Sequence, residues 1–391
     1  MIENILRGGK RYCLLISGLL ILMAAGLAAY LQQWNTGLAV TGLGRDISWG
    51  LYIANFTFFV GVAASAVMLV IPYYLHNGQE FRRIIILGEF MAVAACLVAI
   101  TFIVVDLGQP ARLFNIILYP SPNSVIFWDV VVINGYLLLN IVLGWVVLDA
   151  EFKEVDPPAW IKPVAIISIV WAVSIHTVTA FIYAGLAARL FWLTALMAPR
   201  FLASAFASGP ALLILLALAM KKWGNFDPGD RSIDKVAKIV AYAIIITVFF
   251  LLMEVFTVFY SQVPEAMAHF QYLLFGLEGH CGLVPWTWAS ILLACMAIVL
   301  LVTPSTRKNH TTLALACGAV FIAIWIDKGL GLVVPGFVPS PLGEISEYTP
   351  TLIEILITMG VWAMGGLIVT LLFRVAMGVR QGKNNLPAVD K

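Results

Sequence analysis

Asp106 and Arg112 bracket the segment Leu107-Gly108-Gln109-Pro110-Ala111. It follows directly on an apolar run, Ile84 to Val105, long enough to cross a membrane. A carboxylate where hydrocarbon meets water can trade protons with the aqueous side, and its charge is costly, so such a group has a partner or a task. The Gly-x-Pro between the two charges ends the helix and turns backbone groups towards any head-group that docks there. The same pair can also serve only as an ion pair that staples the helix end.

His176 is the histidine that lies well inside an apolar run; His76, His269, His280 and His310 fall in loops or at run ends. A haem held by two histidines needs a facing pair, which this distribution does not offer. Imidazole titrates near neutral pH, which suits His176 to accept a proton from a hydroquinone; a plain hydrogen bond to a neighbouring carbonyl is the other role open to it. Asp129, Glu254, Glu89, Asp327 and Lys328 also fall inside apolar runs, as structural hydrogen-bonders or as members of a proton path. Asp327 and Lys328 are sequence neighbours and point about 100° apart on a helix, so they need not pair. Trp49, Trp128 and Trp192 fit an interfacial aromatic belt. His280-Cys281 resembles half of a metal site, but only His269 offers a further ligand, so no metal is expected. The glycines form no phosphate loop of the Walker type.

The elements that must position these groups follow from composition. The chain of 391 residues is 62% hydrophobic and 11% charged, with a mean hydropathy of +0.97. Soluble domains carry about 25% charged residues, so the expected class is an all-α integral membrane protein. A net charge of +2 argues against nucleic acid as a partner. The five cysteines form no Cys-x-x-Cys pair and read as small hydrophobes rather than cluster ligands. The first apolar run lacks a small-residue cleavage site and is expected to stay as an anchor.

Ten runs are long enough to span a membrane, near 12–34, 49–75, 84–107, 124–148, 161–186, 201–222, 236–262, 285–303, 311–334 and 351–375. Alternate loops and both termini carry eighteen of the Lys and Arg residues, whereas the opposite loops hold only Arg45, Arg112, Arg189 and Arg200. The positive-inside rule then puts both termini in the cytoplasm and Asp106–Arg112 outside a cytoplasmic membrane. Helix breakers stand mostly at span ends, which counts against a transporter built on broken helices. In this frame Asn55, Asp129, His176, Tyr183, Glu254, Asp327 and Lys328 all lie in the outer half, with Glu89 the inner exception. That asymmetry suits a site exchanging protons or electrons near the outer surface.

Four stretches resemble the NrfD/polysulfide-reductase family of membrane subunits. They are Ser48-Trp49-Gly50 with Phe59-Val60-Gly61 and Ala63-Ala64; Asp106-Leu107-Gly108 with Pro110, Arg112, Leu113 and Phe114; Pro122 to Asp129; and Ala188 to Trp192 with Pro199 to Ala205. Ten spans, together with the tail Pro339 to Glu344 and Tyr348 to Glu354, look most like the DsrP branch linked to dissimilatory sulfur metabolism.

The resemblance implies a haem-free anchor, without an iron–sulfur cluster of its own. It implies electron exchange between a bound menaquinone or menaquinol and a ferredoxin-like iron–sulfur subunit on the outer face, within a complex that includes cytochrome and catalytic subunits. His176 and Asp106 would handle protons. Asn55 would orient the head-group, and Arg112 would hold Asp106 ionised or offset a reduced head-group. Trp49, Trp128, Asp129 and Tyr183 would complete the pocket, while Glu89, Glu254, Asp327 and Lys328 would be steps of a proton path. The expected organisation is an anchor helix and loop over 1–48, a first four-helix bundle over 49–200, a second over 201–334, and a last loop, helix and tail over 335–391. An ion or proton translocator and a purely structural anchor are the rival functions.

Overall fold

A computed structural model describes residues 9–75, 78, 80–81, 84–224 and 226–384. Of the residues in the charge count, Arg7, Arg82, Arg83 and Lys391 lie outside this set, as do His76 and the side chains of Arg380 and Lys383. Among the described residues, ten helices are long and apolar enough to cross a membrane. They are α1 (Lys10–Val40), α2 (Leu51–Tyr74), α3 (Ile85–Asp106), α4 (Val125–Lys153), α5 (Ile161–Ala184), α6 (Met197–Trp223), α7 (Asp230–Ser261), α8 (Val284–Val302), α9 (His310–Phe337) and α10 (Leu352–Val379). Helix is forced on such runs because hydrocarbon offers the backbone no partner outside its own segment. The loop after α7 carries a further short helix, Pro264–Leu274, with proline in its first turn, where its missing N–H costs nothing.

Neighbouring contacts close α2 to α5 into one ring and α6 to α9 into another, and the rings meet where α2 and α5 face α6 and α9. In α2, 94% of the apolar window is buried, against 11% in α1, so α2 is the central post and α1 lies at the periphery. The outermost helices still belong to the packed body. α10 lies along α1 and also covers α3. The α1–α10 contact turns on two glycines: a Cβ on Gly26 would stand 2.7 Å from the Gly360 Cα. Small residues let membrane helices approach this closely.

Irregular stretches lie at span ends, at Gly37–Val40, Ile71–Leu75 and Val334–Phe337, but others interrupt the spans themselves. α2 passes through a 3-10 turn at Ala63–Ser65, and α9 through a π-helical stretch at Trp325–Leu330. Pro210 sits inside α6. The two irregular helices touch: a Cβ on Gly61 would meet the Lys328 Nζ at 3.1 Å. π-helical stretches collect at functional positions, and this one carries Asp327 and Lys328. α6 also begins earlier than hydropathy suggests, at Met197, which draws Arg200 from the expected loop into a helix.

Candidate functional site

Asp106 is the last residue of α3, and its Oδ1 is buried with no hydrogen-bond partner. Among the described residues no ion pair joins it to Arg112, which is exposed on the following 3-10 turn Pro110–Phe114. The turn sends the guanidinium outward, so the stapling role does not hold. Asp106 instead interacts electrostatically with Glu354 and Tyr52. The Tyr52 hydroxyl donates to Gln33 Oε1 at 2.7 Å, and Gln33 Nε2 donates to the Val105 carbonyl at 2.6 Å. Glu354 is fully buried and accepts from Gly42 N, Thr351 N and the Tyr348 hydroxyl. With three donors Glu354 is spoken for; Asp106 is the carboxyl in this cluster with an oxygen to spare. Buried polar atoms are nearly always paired, so such an exception calls for an explanation.

The segment after Asp106 walls a cavity of about 100 Å³ between Leu107–Ala111 and the end of α1, where Tyr30, Gln33, Trp34, Gly37 and Leu38 line it. The Tyr30 hydroxyl is likewise buried without a partner. Sequence reasoning overlooked Gln33, Tyr52 and Tyr30. The pair Gln32-Gln33 at the end of the first apolar run, one turn before Gly37, was the signal that could have found the first.

Tyr183, on α5, is fully buried. Its hydroxyl is hydrogen-bonded to the Thr57 hydroxyl, and it lies within electrostatic range of Asp129 and Asp106. Asp129 accepts from the Thr179 hydroxyl at 2.6 Å. Trp49 stacks on Trp192, with ring centres 5.7 Å apart, and meets Tyr183 edge-on. Trp192 is fully buried and its Nε1 donates to the Leu332 carbonyl, so it is a core anchor rather than a belt residue. Trp128 is 47% exposed and bonded to the Pro122 carbonyl, as a belt residue would be. Four of the expected residues, Asp106, Asp129, Tyr183 and Trp49, therefore share one neighbourhood. Trp128 and Arg112 face outward.

His176 lies deeper on α5, fully buried, with neither ring nitrogen hydrogen-bonded. It does not donate to a neighbouring carbonyl. It interacts with Lys328, whose Nζ donates to the Phe201 carbonyl at 3.2 Å and sits over the Phe201 ring. Asn55 points the other way. Its Oδ1 accepts from the indoles of Trp325 and Trp362, and its Nδ2 donates to the Leu51 carbonyl. Glu89, buried near the opposite face, has no partner on either oxygen.

In the second ring Arg200 is buried, not a loop cation. It bonds Glu254 and lies 3.5 Å from Asp327. Two carboxylates inside apolar spans require a cation nearby; that charge balance is what could have revealed Arg200. His280 and His269 are apart in role. His280 lies 3.6 Å from Glu347, and buried His269 bonds the Pro335 and Val338 carbonyls. Among the described residues no three His, Cys, Asp or Glu side chains group as metal ligands.

A family model described as polysulphide reductase, NrfD, matches residues 39–337, from the end of α1 to the end of α9. The chain is 27% identical to a putative membrane subunit of dimethyl sulfoxide reductase from Halobacterium salinarum, over 90% of this chain and 88% of that one. It is 24% identical to a subunit of selenate reductase from Mesobacillus selenatarsenatis, over 84% and 85%. It is also 24% identical to the Hdr-like menaquinol oxidoreductase integral membrane subunit of Archaeoglobus fulgidus, over 90% of each chain.

Proposed function

We propose a menaquinol- or menaquinone-reactive site at Asp106 in this chain, which belongs to the NrfD polysulphide reductase family. The observation that carries the proposal is the unpaired, buried Asp106 Oδ1 beside a cavity walled by Leu107–Ala111 and Gln33. A quinol bound there would supply two electrons and two protons on oxidation to the quinone, and a quinone would take up the same. The residue types suit such a guest: Asp106 could take a proton from a ring hydroxyl, and Gly108-Gln109-Pro110 lines a cavity of about 100 Å³ that would have to widen to admit a whole quinone head. Trp34 and Tyr30 offer aromatic faces. Tyr52 and Gln33 hold α1 and α2 in register, and Glu354 ties α10 to the same cluster through Gly42 N and the Tyr348 hydroxyl. Trp49, Tyr183 and Asp129 stand outside the lining and reach the site only through the electrostatic range between Tyr183 and Asp106. Asn55 acts from behind it, since its amide oxygen is taken by two indoles. Arg112, exposed at the rim, suits a partner surface.

The site then lies on the outer face of the cytoplasmic membrane, both termini being cytoplasmic. Electrons pass to a ferredoxin-like iron–sulfur subunit of a complex with cytochrome and catalytic subunits; the tail Pro339 to Glu354 favours the sulfur-linked branch. One observation supports proton movement as well. The π-helical stretch places Asp327 and Lys328 between the rings, near His176, with Glu254 beyond Arg200 and Glu89 towards the other face. The name of the Archaeoglobus relative, a menaquinol oxidoreductase subunit, supports the quinone assignment.

The test is quinol-linked turnover of the intact complex. Asp106→Asn is expected to lower it about 100-fold, the lower end of what a positioned acid or base contributes, while Arg112→Ala leaves the quinol affinity unchanged. Full turnover with Asp106→Asn would overturn the assignment.

A further inference from the structure

A second crevice opens on the same face, in the other ring. Its volume is about 410 Å³, and Leu193, Thr194, Glu254, Val258, Ser261 and Phe270 are among its walls. That is within the range of small-molecule sites, about 300–1,000 Å³. A further crevice of about 450 Å³ runs along the other side of the same Leu193–Thr194 turn, leaving room for an apolar tail. Glu254 is 7% exposed. One of its oxygens, Oε2, is engaged by Arg200; Oε1 is buried with no hydrogen-bond partner, although the Thr194 hydroxyl approaches the same carboxylate. Arg200 bonds this carboxylate from between the helices, and the crevice reaches the same side chain from the other side.

We propose that this crevice binds a second hydroquinone through a ring hydroxyl that donates to Glu254 Oε1. The proposal rests on the quinone chemistry put forward above but on a different cavity. An unpartnered carboxyl oxygen at the end of an apolar slot selects a head that donates a hydrogen bond. A phosphodiester head has no proton to donate to this oxygen, and among the described lining residues no cation would hold its phosphate. Phe191 and Phe270 on the wall, with ring centres 5.4 Å apart, offer faces for a planar aromatic ring. Beyond Glu254 the Arg200–Asp327 contact leads to Lys328, so the hydroxyl would touch the outer end of the polar line between the rings.

The test is photolabelling of the purified complex in nanodiscs with a menaquinol analogue bearing a diazirine beside its naphthalene ring, kept reduced, with labelled peptides mapped by mass spectrometry. Label is expected within 190–196 and 257–270, at least tenfold lower in Val258→Trp, and at least tenfold lower when both ring hydroxyls are methylated. Should Val258→Trp fail to elute as a folded complex, Ala266→Phe fills the same crevice and decides the matter. Absent label, label that survives crevice filling, or equal label from the dimethyl ether or a diazirine phosphatidylglycerol would overturn the site. The Asp106→Asn variant is expected to keep this label. Loss of label at 107–111 alone would contradict only the Asp106 site, and loss at 257–270 alone only this one.

Discussion

The hydroxyl of Tyr52 on α2 donates to the side-chain oxygen of Gln33 on α1 across 2.7 Å. Gln33 lies outside the matched region 39–337 and Tyr52 inside it, so this bond joins the first helix to the family's common body. Together with Glu354 on α10, it means that the two outermost helices complete the polar cluster round Asp106.

That dependence can be tested far from the chemistry. A leucine at Gly26 would force α1 away from α10, where even a Cβ stands 2.7 Å from the Gly360 Cα. Gly26→Leu is expected to weaken quinol affinity in turnover assays by about tenfold, about 1.4 kcal/mol. Gly18→Leu, on the same helix with open space around it, should leave affinity unchanged.

Arg200 and Arg112 provide a contrast in stability. Arg200→Ala strands Glu254 and Asp327 without their cation; breaking a buried pair in this way costs about 3–5 kcal/mol. Thermal unfolding in detergent should fall sharply for Arg200→Ala and stay within about 0.5 kcal/mol of wild type for exposed Arg112→Ala.

Asn55 should behave as scaffold. Asn55→Ala leaves two indole N–H groups, those of Trp325 and Trp362, without an acceptor, at about 1–3 kcal/mol each. Unfolding midpoints are expected to drop while the quinol affinity of the folded fraction holds. A lost affinity at unchanged stability would return Asn55 to the head-group.

His269, outside the spans, sets a pH dependence. Burial holds its imidazole below the usual range, against the opposing effect of its bonds to the Val338 and Pro335 carbonyls. The neutral ring is thus favoured in the folded protein, while the unfolded chain takes up a proton near pH 6.5. This contribution is complete above about pH 6.5 and declines as pH falls below it. Acidification from pH 7 to 5.5 should therefore lower the unfolding temperature of wild type more than that of His269→Asn.

Much of this was legible from residue types. Ten apolar runs gave ten helices within a few residues at most ends, because a membrane leaves the backbone no other choice. The Asp106–Arg112 motif marked the end of α3 and the rim of the cavity. Pair geometry was not legible: Arg112 and Asp106 are close in sequence, but the 3-10 turn at Pro110 sends one outward and leaves an oxygen of the other buried. Arg200 escaped because a lone arginine beside a span looks like a loop charge until its partners on α7 and α9 are seen. The π-helical stretch in α9 has no proline to announce it; only the Gly329 and Gly331 flanking Leu330 hint at it.

The central claim is where the quinone head-group sits, and the most direct measurement is its position in a density map of the intact complex prepared with excess menaquinone. The account predicts a head-group within hydrogen-bonding distance of the Asp106 carboxyl, held between Gln33 and Leu107–Ala111. A map that fills this cavity with side chains, or that places the head-group only at Glu254 or outside the protein, would contradict it.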